Sequence, residues 1–403
     1  IEMVVEWKIR IMTFNVAMTS CSLDTANILI EGIDASTEEI LVIGLQEVAH
    51  GEQYAGVIPS WASSIIAAIS EKTDYTLVGK TFQATNLMML FVHKSALSHV
   101  GRIDYRYVRN TLGGLTGHKG SIGTMLTLSN KRSIVFTLSH FVHDVSRLNA
   151  RILQYRANRS CSFPDRQSVL ASFWLGDLNF RVDEDAEEVK DRLEAGDLEA
   201  LLDKDQLLNT RKAGKAFTEY HEAPISFPPS YRMIVGTCDY DLKRTPSWCD
   251  RVLYKGSVKS ELYDRLEGVR VSDHLPVRGV YSVSFPSLNK DIEWRTVFDS
   301  VPTWYSTCPL IVRFRSVRDT YWKTKGAYTD WIGVFPSRVS DATNPFRWVF
   351  AVTSYTDASS PLYSVAEFNP LPSGEYRVGY HSAHYNCLLG LSQPFLVVDP
   401  PEQ

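Results

Sequence analysis

The pattern of hydrophobic positions predicts a series of strands, several of which end in a polar side chain. Residues 169–175 form an apolar run that leads to Asp177 and Asn179, and residues 40–45 form another that leads to Glu47. Short apolar runs bounded by turn residues are typical of strands that are covered on both faces. These two runs therefore predict buried strands that carry carboxylates and an amide to an edge of a sheet.

Four other predicted strand boundaries repeat this pattern. They carry Asn15 after residues 7–14, His140 after residues 133–138, Asp250 before residues 252–254, and the pair Asp273 and His274 before residues 277–283. Each residue alone is better explained as a turn residue, a solvated acid or a hydrogen-bonded core residue. Six such boundaries are harder to explain by chance, because stacked sheets gather their strand ends along one rim. We therefore expect these side chains to meet in one functional site.

Other segments predict the covering helices and a loop for an anion. Helical spacing is found over residues 61–70, 144–158 and 186–202. The glycine-rich segment 113–120 is predicted to be a loop in which main-chain amides and Lys119 approach an anion. Residues 240–251 place basic side chains before a carboxylate, which is typical of a loop that holds phosphate.

The chain changes character after about residue 291. Short β-rich runs separated by turn residues predict a small antiparallel sandwich of the immunoglobulin-like kind. These runs cover residues 310–317, 331–335, 348–352, 376–380 and 395–398. We therefore predict two domains, residues 1–288 and 289–403.

Charge and cysteine usage narrow the function classes. The formal net charge of -4 argues against a general nucleic-acid-binding protein. The six cysteines are scattered without a CxxC pair, which favours reduced thiols in a cytoplasmic protein over a disulfide framework or a zinc site. The sequence shows neither a bilayer-length apolar run nor a signal peptide, so we expect at most peripheral contact with a membrane.

The residue types at the predicted rim are those of metal-assisted phosphate-ester hydrolysis. Glu47 and Asn15 offer the hard oxygen ligands that Mg²⁺ prefers. Asp177 could accept a proton from an attacking water, and Asn179 could orient that water. His274, oriented by a carboxylate such as Asp250, could donate hydrogen bonds to phosphoryl oxygens.

Three motifs carry a specific resemblance. Residues 176–181 (GDLNFR), 246–251 (PSWCDR) and 272–276 (SDHLP) together look like those of inositol polyphosphate 5-phosphatases, and the resemblance extends over residues 7–285. It implies an α+β fold of the endonuclease/exonuclease/phosphatase type, a four-layer β-sandwich flanked by helices, with one Mg²⁺. The sequence departs from the family pattern at His118, where asparagine is usual, and at residues 139–141, which read Ser-His-Phe instead of Cys-His-Leu.

The same resemblance implies a role for each candidate residue. Glu47 would be the principal metal ligand, with Asn15 and Asp273 supporting the metal. The catalytic set would be Asp177 as base, Asn179 as orienter of the water, Asp250 and His274 as a dyad, and His140 beside the phosphate. The substrate-binding set would be Lys119, Arg181, Tyr240, Lys243 and Arg244.

Residues 331–335, Trp348 and residues 380–395 resemble the SKICH domain. A phosphatase domain followed by a SKICH domain implies hydrolysis of the 5-phosphate of PtdIns(4,5)P2 and PtdIns(3,4,5)P3, with soluble inositol polyphosphates as a further option. It also implies a cytoplasmic protein recruited to the surface of the plasma membrane or the endoplasmic reticulum. A protein partner of the second domain stays open, and no nucleic-acid partner is expected. Two alternatives remain: a phosphodiesterase or nuclease of the same fold, and a non-catalytic SKICH adaptor.

Overall fold

The computed structural model describes residues 4–33, 38–49, 60–111, 116–286, 294–317 and 327–401. Among the described residues up to 286, eleven strands form two sheets with the orders β10-β11-β1-β2-β4-β3 and β5-β6-β7-β8-β9. The strands are β1 Val4–Asn15, β2 Ile40–Gln46, β3 Tyr75–Gln83, β4 Asn86–His93, β5 Val100–Thr111, β6 Thr116–Leu128, β7 Ser133–His140, β8 Val169–Asp177, β9 Asp250–Gly256, β10 Val258–Arg265 and β11 Val277–Pro286. The α-helices are α1 Leu23–Leu29, α2 Trp61–Lys72, α3 Leu148–Asn158, α4 Ala186–Glu194, α5 Leu198–Leu202 and α6 Gln206–Lys212.

Alternate residues of β1 and β2 face two different hydrophobic cores. Ile9, Ile11 and Val42 lie in the core between the two sheets. Met12 and Ile43 lie in a second core, which α1 and α2 cover. Successive side chains of a strand point to opposite faces, so β2, which is covered on both faces, is apolar along almost its whole length, whereas β1 buries Arg10 in an ion pair with Glu38.

The second sheet is covered in the same way on its outer face. Trp174 of β8 packs with Tyr155 of α3 and Leu207 of α6, while its neighbours Phe173 and Leu175 belong to the core between the sheets. The order of layers is therefore helix, sheet, sheet, helix. This confirms the predicted four-layer fold.

Three local predictions need correction. Residues 116–120, including Lys119, begin strand β6 instead of forming a loop, and residues 112–115 of the predicted glycine loop lie outside the described residues. The predicted helix over 144–158 starts as a 3-10 turn at residues 145–147. The predicted helix over 186–202 is two helices, because Gly196 adopts a φ of +73° between them.

The second domain is a sandwich of two sheets. Their orders are β12-β14-β18-β17 and β13-β21-β19-β15-β16, and β20 pairs with β19. The strands are β12 Thr296–Phe298, β13 Trp304–Tyr305, β14 Leu310–Ser316, β15 Trp331–Pro336, β16 Arg347–Phe350, β17 Tyr355–Asp357, β18 Ser360–Phe368, β19 Gly374–Ser382, β20 Cys387–Leu391 and β21 Phe395–Val398. The predicted boundary between residues 288 and 289 lies outside the described residues.

The second domain pairs with the open edge of β3. The main-chain N–H of Leu77 donates to Ser340 at 2.9 Å, and that of Ala342 donates back to the Leu77 carbonyl at 2.9 Å. The Thr76 hydroxyl donates to the Val339 carbonyl at 2.7 Å. These bonds cover main-chain groups that an edge strand would otherwise expose.

His381 of β19 is buried beside this contact. It is 7% exposed, and its ring stacks on Trp331 with the centroids 4.5 Å apart. It lines a small cavity together with Val78 and Leu97 of the first domain. Its Nδ1 has no hydrogen-bond partner among the described residues. Burial lowers the pKa of His381 from 6.5 to about 4, so the imidazole stays neutral in the folded protein at neutral pH.

Acidification should therefore destabilise the protein through His381. His381 binds a proton near pH 6.5 in the unfolded chain and only near pH 4 in the folded chain. The stability that depends on its neutral form is therefore fully present above pH 6.5 and is lost as the pH falls from 6.5 to 4. At pH 5 the expected loss is about 2 kcal/mol. Urea unfolding of native protein and His381→Gln at pH 7 and pH 5 measures it. The variant should show a smaller acid loss, whereas exposed His384→Gln should match the native protein, and equal acid loss in all three would contradict the assignment.

Candidate active site

Five strands bring the predicted residues to one rim because their registers align. In the parallel pair of β1 and β2, Asn15 lies opposite Gln46. In the parallel pair of β7 and β8, His140 lies opposite Asp177, and β9 places Asp250 opposite the same Asp177. The polar residues that end these strands therefore meet across both sheets.

Asp177 lies at the centre of the rim. Asn15 Nδ2 donates to its Oδ2 at 3.0 Å, and His140 Nε2 lies 3.3 Å from the same oxygen. Burial alone would raise the pKa of Asp177, which is only 1% exposed. The hydrogen bond from His140 and the positive charges around the site outweigh burial and hold its pKa well below the usual range. Asp177 is thus an ionised carboxylate at any physiological pH.

The predicted dyad is formed by buried groups. His274 Nδ1 lies 2.8 Å from Asp250 Oδ2, which also accepts a hydrogen bond from Ser230 Oγ at 2.7 Å. Although burial lowers the pKa of His274, the carboxylate of Asp250 raises it to about 9. The imidazole is therefore protonated at neutral pH, with Nε2 lying 4.0 Å from Asp177 Oδ2.

The turn after β8 explains how Asn179 reaches the rim. Gly176 has a φ of +136°, and a Cβ there would lie 1.9 Å from the Ser139 carbonyl, so only glycine fits. Asn179 has a φ of +56° and donates to the Phe141 carbonyl at 3.1 Å through Nδ2. Asparagine tolerates this left-handed conformation better than most residues. The turn fixes the Asn179 amide two residues after Asp177.

Glu47 is the most open acid at the rim. Its side chain is 36% exposed, and its Oε1 lies 3.9 Å from Lys119 Nζ and 3.7 Å from His140 Nε2. Its φ of +55° is unusual for a glutamate, and such conformations concentrate at functional sites. Lys119 Nζ also lies within hydrogen-bond distance of His140 Nε2. Burial lowers the pKa of Lys119.

The predicted substrate-binding residues divide into two groups. Arg181 and Tyr240 are held by protein groups: Arg181 is 4% exposed and donates to Asn179 Oδ1, and the Tyr240 hydroxyl donates to the Pro229 carbonyl at 2.9 Å. Lys243 and Arg244 are exposed.

Asp273, a predicted metal residue, carries an ion pair with Arg232 at 3.3 Å. The structure thus places Asn15, Glu47, Lys119, His140, Asp177, Asn179, Arg181, Asp250 and His274 in one connected cluster, with Asp273 directly beside His274 in the chain.

Three residues of the site were missed by the sequence analysis. Ser230 donates to Asp250, and Ser272 Oγ joins two predicted segments by donating to the Asn15 carbonyl at 2.7 Å. The Tyr231 ring lies between the Arg181 guanidinium, 4.5 Å from its centroid, and the His274 ring, 4.4 Å away. Ser272 begins a recognised motif and could have been included. Ser230 and Tyr231 lie in an irregular segment without a strand-end signal.

The acidic residues at the rim have the chemistry of a hard-cation site. Asp177, Asp250 and His274 offer three ligand atoms within 4.8 Å of one another. A protonated imidazole, however, has no lone pair for a metal, and Asp250 already holds that imidazolium. Glu47 fits better, because its carboxylate is partly exposed and its Oε1 lies 3.7 Å from His140 Nε2, which in turn lies 3.3 Å from Asp177 Oδ2. Oxygen donors of this kind suit Mg²⁺ or Ca²⁺.

Comparison with known proteins agrees with this geometry. Residues 12–280, more than half of the chain, match endonuclease/exonuclease/phosphatase family 2. The chain belongs to this family. Residues 296–397 match the SKICH domain, so the resemblance to 5-phosphatases followed by a SKICH domain is confirmed.

Several relatives of the family 2 domain are similar to the chain. Synaptojanin of Caenorhabditis elegans is 30% identical over 270 residues, which cover 62% of this chain and 24% of that protein. Phosphatidylinositol 4,5-bisphosphate 5-phosphatase A of Homo sapiens is 25% identical over 433 residues, covering 98% of this chain and 42% of that protein. The chain therefore spans about a quarter to two fifths of the length of these relatives.

Solved structures show the family 2 fold in more than one context. The inositol polyphosphate 5-phosphatase domain of SpSynaptojanin, in complex with inositol (1,4)-bisphosphate and calcium ion, superposes with a TM-score of 0.62 at 24% identity, covering 72% of this chain and 88% of that one. The ferrous NO complex of Cimex nitrophorin gives 0.59 at 22% identity, covering 70% and 99%. The fold alone thus does not define the chemistry, which has to be argued from the rim.

Proposed function

We propose that this chain is a Mg²⁺-dependent phosphatase that removes the 5-phosphate of phosphoinositides. The observation that carries the proposal is the placement of the Asp177 carboxylate 4.0 Å from Nε2 of His274, whose Nδ1 is held by Asp250, at a rim that also holds Glu47 and Asn15. One group can accept a proton from water, while the other can stabilise negative charge on the phosphoryl oxygens. The names of the relatives that cover 98% of the chain support the substrate class.

In this mechanism Asp177 positions the attacking water and accepts its proton. Its low pKa makes it a weak base, so the proton moves as the water oxygen bonds to phosphorus and becomes acidic. The Asn179 amide is fixed beside it and orients the water. His274, held by Asp250, donates from Nε2 to a phosphoryl oxygen, where negative charge must be stabilised. The bond between phosphorus and the ring oxygen at position 5 breaks, and that oxygen leaves as the inositol hydroxyl after taking a proton from solvent water.

The metal would be held mainly by Glu47, with Asn15 and Asp273 in support. When bound, Mg²⁺ neutralises charge on the phosphate oxygens. Lys119, which lies between Glu47 and His140, adds a cation on the same side. The partly buried ammonium meets little competition from water, which strengthens its interaction with a phosphate.

The exposed pair Lys243 and Arg244 is suited to a neighbouring ring phosphate. Arg181 acts at a distance, because its guanidinium is directed to Asn179 and Tyr231. Tyr240 shapes this segment through its bond to Pro229. Two exposed cations at this position favour a substrate that carries a dianionic phosphate beside the scissile one. Polyphosphorylated inositols have such a phosphate, whereas the diesters of nucleic acids and sphingomyelin do not. A phosphodiesterase of the same fold remains the alternative.

The second domain is proposed to bring the enzyme to its substrate at a membrane surface, from the cytoplasm. None of the described helices is both long and apolar enough to cross a membrane. All six cysteines are free thiols. PtdIns(4,5)P2 and PtdIns(3,4,5)P3 are the proposed lipids, and soluble inositol polyphosphates share the headgroup chemistry.

Phosphate release from defined substrates tests the proposal. With Mg²⁺, we expect phosphate release from vesicles that contain PtdIns(4,5)P2 or PtdIns(3,4,5)P3. Release from inositol 1,4,5-trisphosphate is also expected, and comparison of the two rates shows whether the lipid or the soluble headgroup is preferred. We expect no release from phosphatidylinositol 4-phosphate, which lacks the 5-phosphate. EDTA should abolish release. Cleavage of sphingomyelin or DNA instead would support the phosphodiesterase, and inactivity toward every substrate would support the adaptor.

A further inference from the structure

Strand β16 is an open edge of the second domain that carries aromatic side chains. Phe346, Trp348 and Phe350 alternate along one face and are 51%, 51% and 43% exposed. The intervening residues Arg347 and Val349 are only partly exposed on the other face. Trp348 and Phe350 contact each other edge to face, with the ring centroids 4.9 Å apart. An unbroken aromatic row of this kind is unusual on a solvent-exposed strand.

The main chain of β16 has N–H and C=O groups on the side that faces away from β15. The N–H of Ala351 donates to the Asp330 carbonyl at 2.8 Å, which sets the phase of the antiparallel pair with β15. Because main-chain groups point alternately to the two sides of an antiparallel strand, those of Trp348 and Phe350 point away from β15. Among the described residues, only the Thr353 hydroxyl engages them, by donating to the Phe350 carbonyl at 2.7 Å.

Several other sheet edges are short, charged or covered. The edge of β3 is covered by residues 340–342, and β12, β13 and β17 have three residues or fewer. The edge strand β10 carries the exposed charges Lys259 and Glu261. Short strands, charges and covering segments are the usual means of preventing edge pairing. Among these edges, β16 is the one that offers aromatic side chains and free main-chain groups together.

A groove runs beside this edge and is lined by the Arg347 guanidinium, which lies over the Phe346 ring and forms no ion pair with the described residues. It has a volume of about 290 Å³ and is lined by Arg347, Trp348 and Val349 together with Phe368 and Asn369 at the end of β18. The Nε of Arg347 is buried and has no hydrogen-bond partner among the described residues. Charge complementarity therefore favours an occupant with a carboxylate.

We propose that β16 binds an extended, acidic peptide segment of a protein partner by strand addition. The partner strand pairs with the main chain of Trp348 and Phe350. Its apolar side chains pack on the aromatic row, and its alternate, acidic side chains face Arg347. Main-chain bonds supply affinity and the alternating side chains supply specificity in this mode of recognition.

Two other occupants fit the edge less well. A lipid phase offers no donors or acceptors to the outward main-chain groups, which would lose their hydrogen bonds to water. A second copy of the chain offers through its own β16 only Arg, Trp, Val and Phe, so that strand has no carboxylate for Arg347. A heterologous acidic segment satisfies both the main chain and the cation.

Binding of a defined peptide to the full chain tests the proposal. The probe is a fluorescein-labelled peptide, acetyl-Glu-Val-Glu-Val-Glu-Val-Glu-amide, followed by fluorescence anisotropy. Saturable binding is expected. The same peptide with lysine in place of glutamate, and a version with alternate main-chain nitrogens methylated, should bind at least about ten-fold more weakly. Absence of saturable binding of the acidic peptide at millimolar concentration, or equal binding of all three peptides, would overturn the proposal.

Matched variants assign the binding to β16. Trp348→Pro removes an N–H that points away from β15, so it should weaken binding about ten-fold while leaving the internal pairing intact. Trp348→Thr keeps the N–H and removes the ring, Arg347→Gln removes the charge, and each should weaken binding several-fold. Leu362→Ala removes an apolar side chain that is 80% exposed elsewhere in the domain and should leave binding unchanged.

Two further measurements detect the other occupants. Flotation with phosphatidylcholine and phosphatidylserine vesicles, and sedimentation velocity of the free chain, are made on the same variants. Vesicle binding or self-association that depends on Trp348, without peptide binding, would overturn the proposal in favour of a membrane or a second copy. Peptide binding does not require the phosphatase reaction, so this result and the test of the proposed function are independent.

Discussion

Asp177→Asn should lower kcat for the 5-phosphate by a factor of about 10²–10⁴. The substitution keeps the size of the side chain but removes the carboxylate that Asn15 and His140 contact and that accepts the proton of the water. Initial rates of phosphate release from PtdIns(4,5)P2 in saturating Mg²⁺ measure the effect. The KM should change less than kcat, because Asp177 acts on the water and not on the ring phosphates.

Controls separate this effect from misfolding and from a general change of charge. Asp185→Asn makes the same chemical change at an exposed position that caps no main-chain group with its side chain, and it should retain native kcat. Circular dichroism should show that Asp177→Asn is folded. Near-native turnover by a folded Asp177→Asn protein would mean that another group accepts the proton.

Arg251→Met should lower the free energy of unfolding by about 3–5 kcal/mol. Arg251 is fully buried and lies 3.0 Å from Asp205 and 2.7 Å from Glu222, both of which are also buried. Removing the cation leaves the Asp205 carboxylate without its charge partner inside the protein, while Glu222 keeps Arg211 at 3.6 Å and the hydrogen bond from the Tyr263 hydroxyl. Asp205 also caps α6 by accepting from the Leu208 N–H at 2.8 Å, so its protonation or movement would disturb that helix as well.

Urea unfolding of matched variants measures the loss. Arg192→Met removes an exposed pair with Glu188 and should lower the free energy of unfolding by less than about 1 kcal/mol. A triple variant that adds Asp205→Asn and Glu222→Gln to Arg251→Met should regain part of the stability. If Arg251→Met were as stable as Arg192→Met but inactive, Arg251 would belong to the reaction and not to the core.

The clustering of polar residues at one rim could be predicted from sequence because local patterns determine it. Apolar runs that end in Asp177 and Glu47 had to be covered strands, and stacked sheets gather such ends. The strand conformation around Lys119 could not be predicted, because glycines at 117 and 120 resemble a loop, while pairing with β5 and β7 keeps them in a strand. Arg109 and His140, the partners of Gly120, lie outside the glycine-rich segment, so the segment alone does not show the strand.

The direction of a side chain was the other feature that could not be predicted from the sequence. Arg181 follows Asn179 by two residues and was expected to face the substrate, yet it is 4% exposed and lies against Tyr231. Tyr231 comes from a segment 50 residues later in the chain, so only the assembled fold shows the contact. The roles assigned to individual residues therefore stay predictions until the variants are measured.

The pairing of residues 340–342 with β3 has a consequence for how a bound partner would affect catalysis. A domain on a flexible linker raises the local concentration of its cargo to a value that depends on linker length. Here hydrogen bonds at Leu77 and Ala342 join the second domain to the catalytic sheet itself. A partner held at the second domain would thus approach the catalytic rim in one orientation, so that membrane geometry, and not linker length, would decide which lipids are reached.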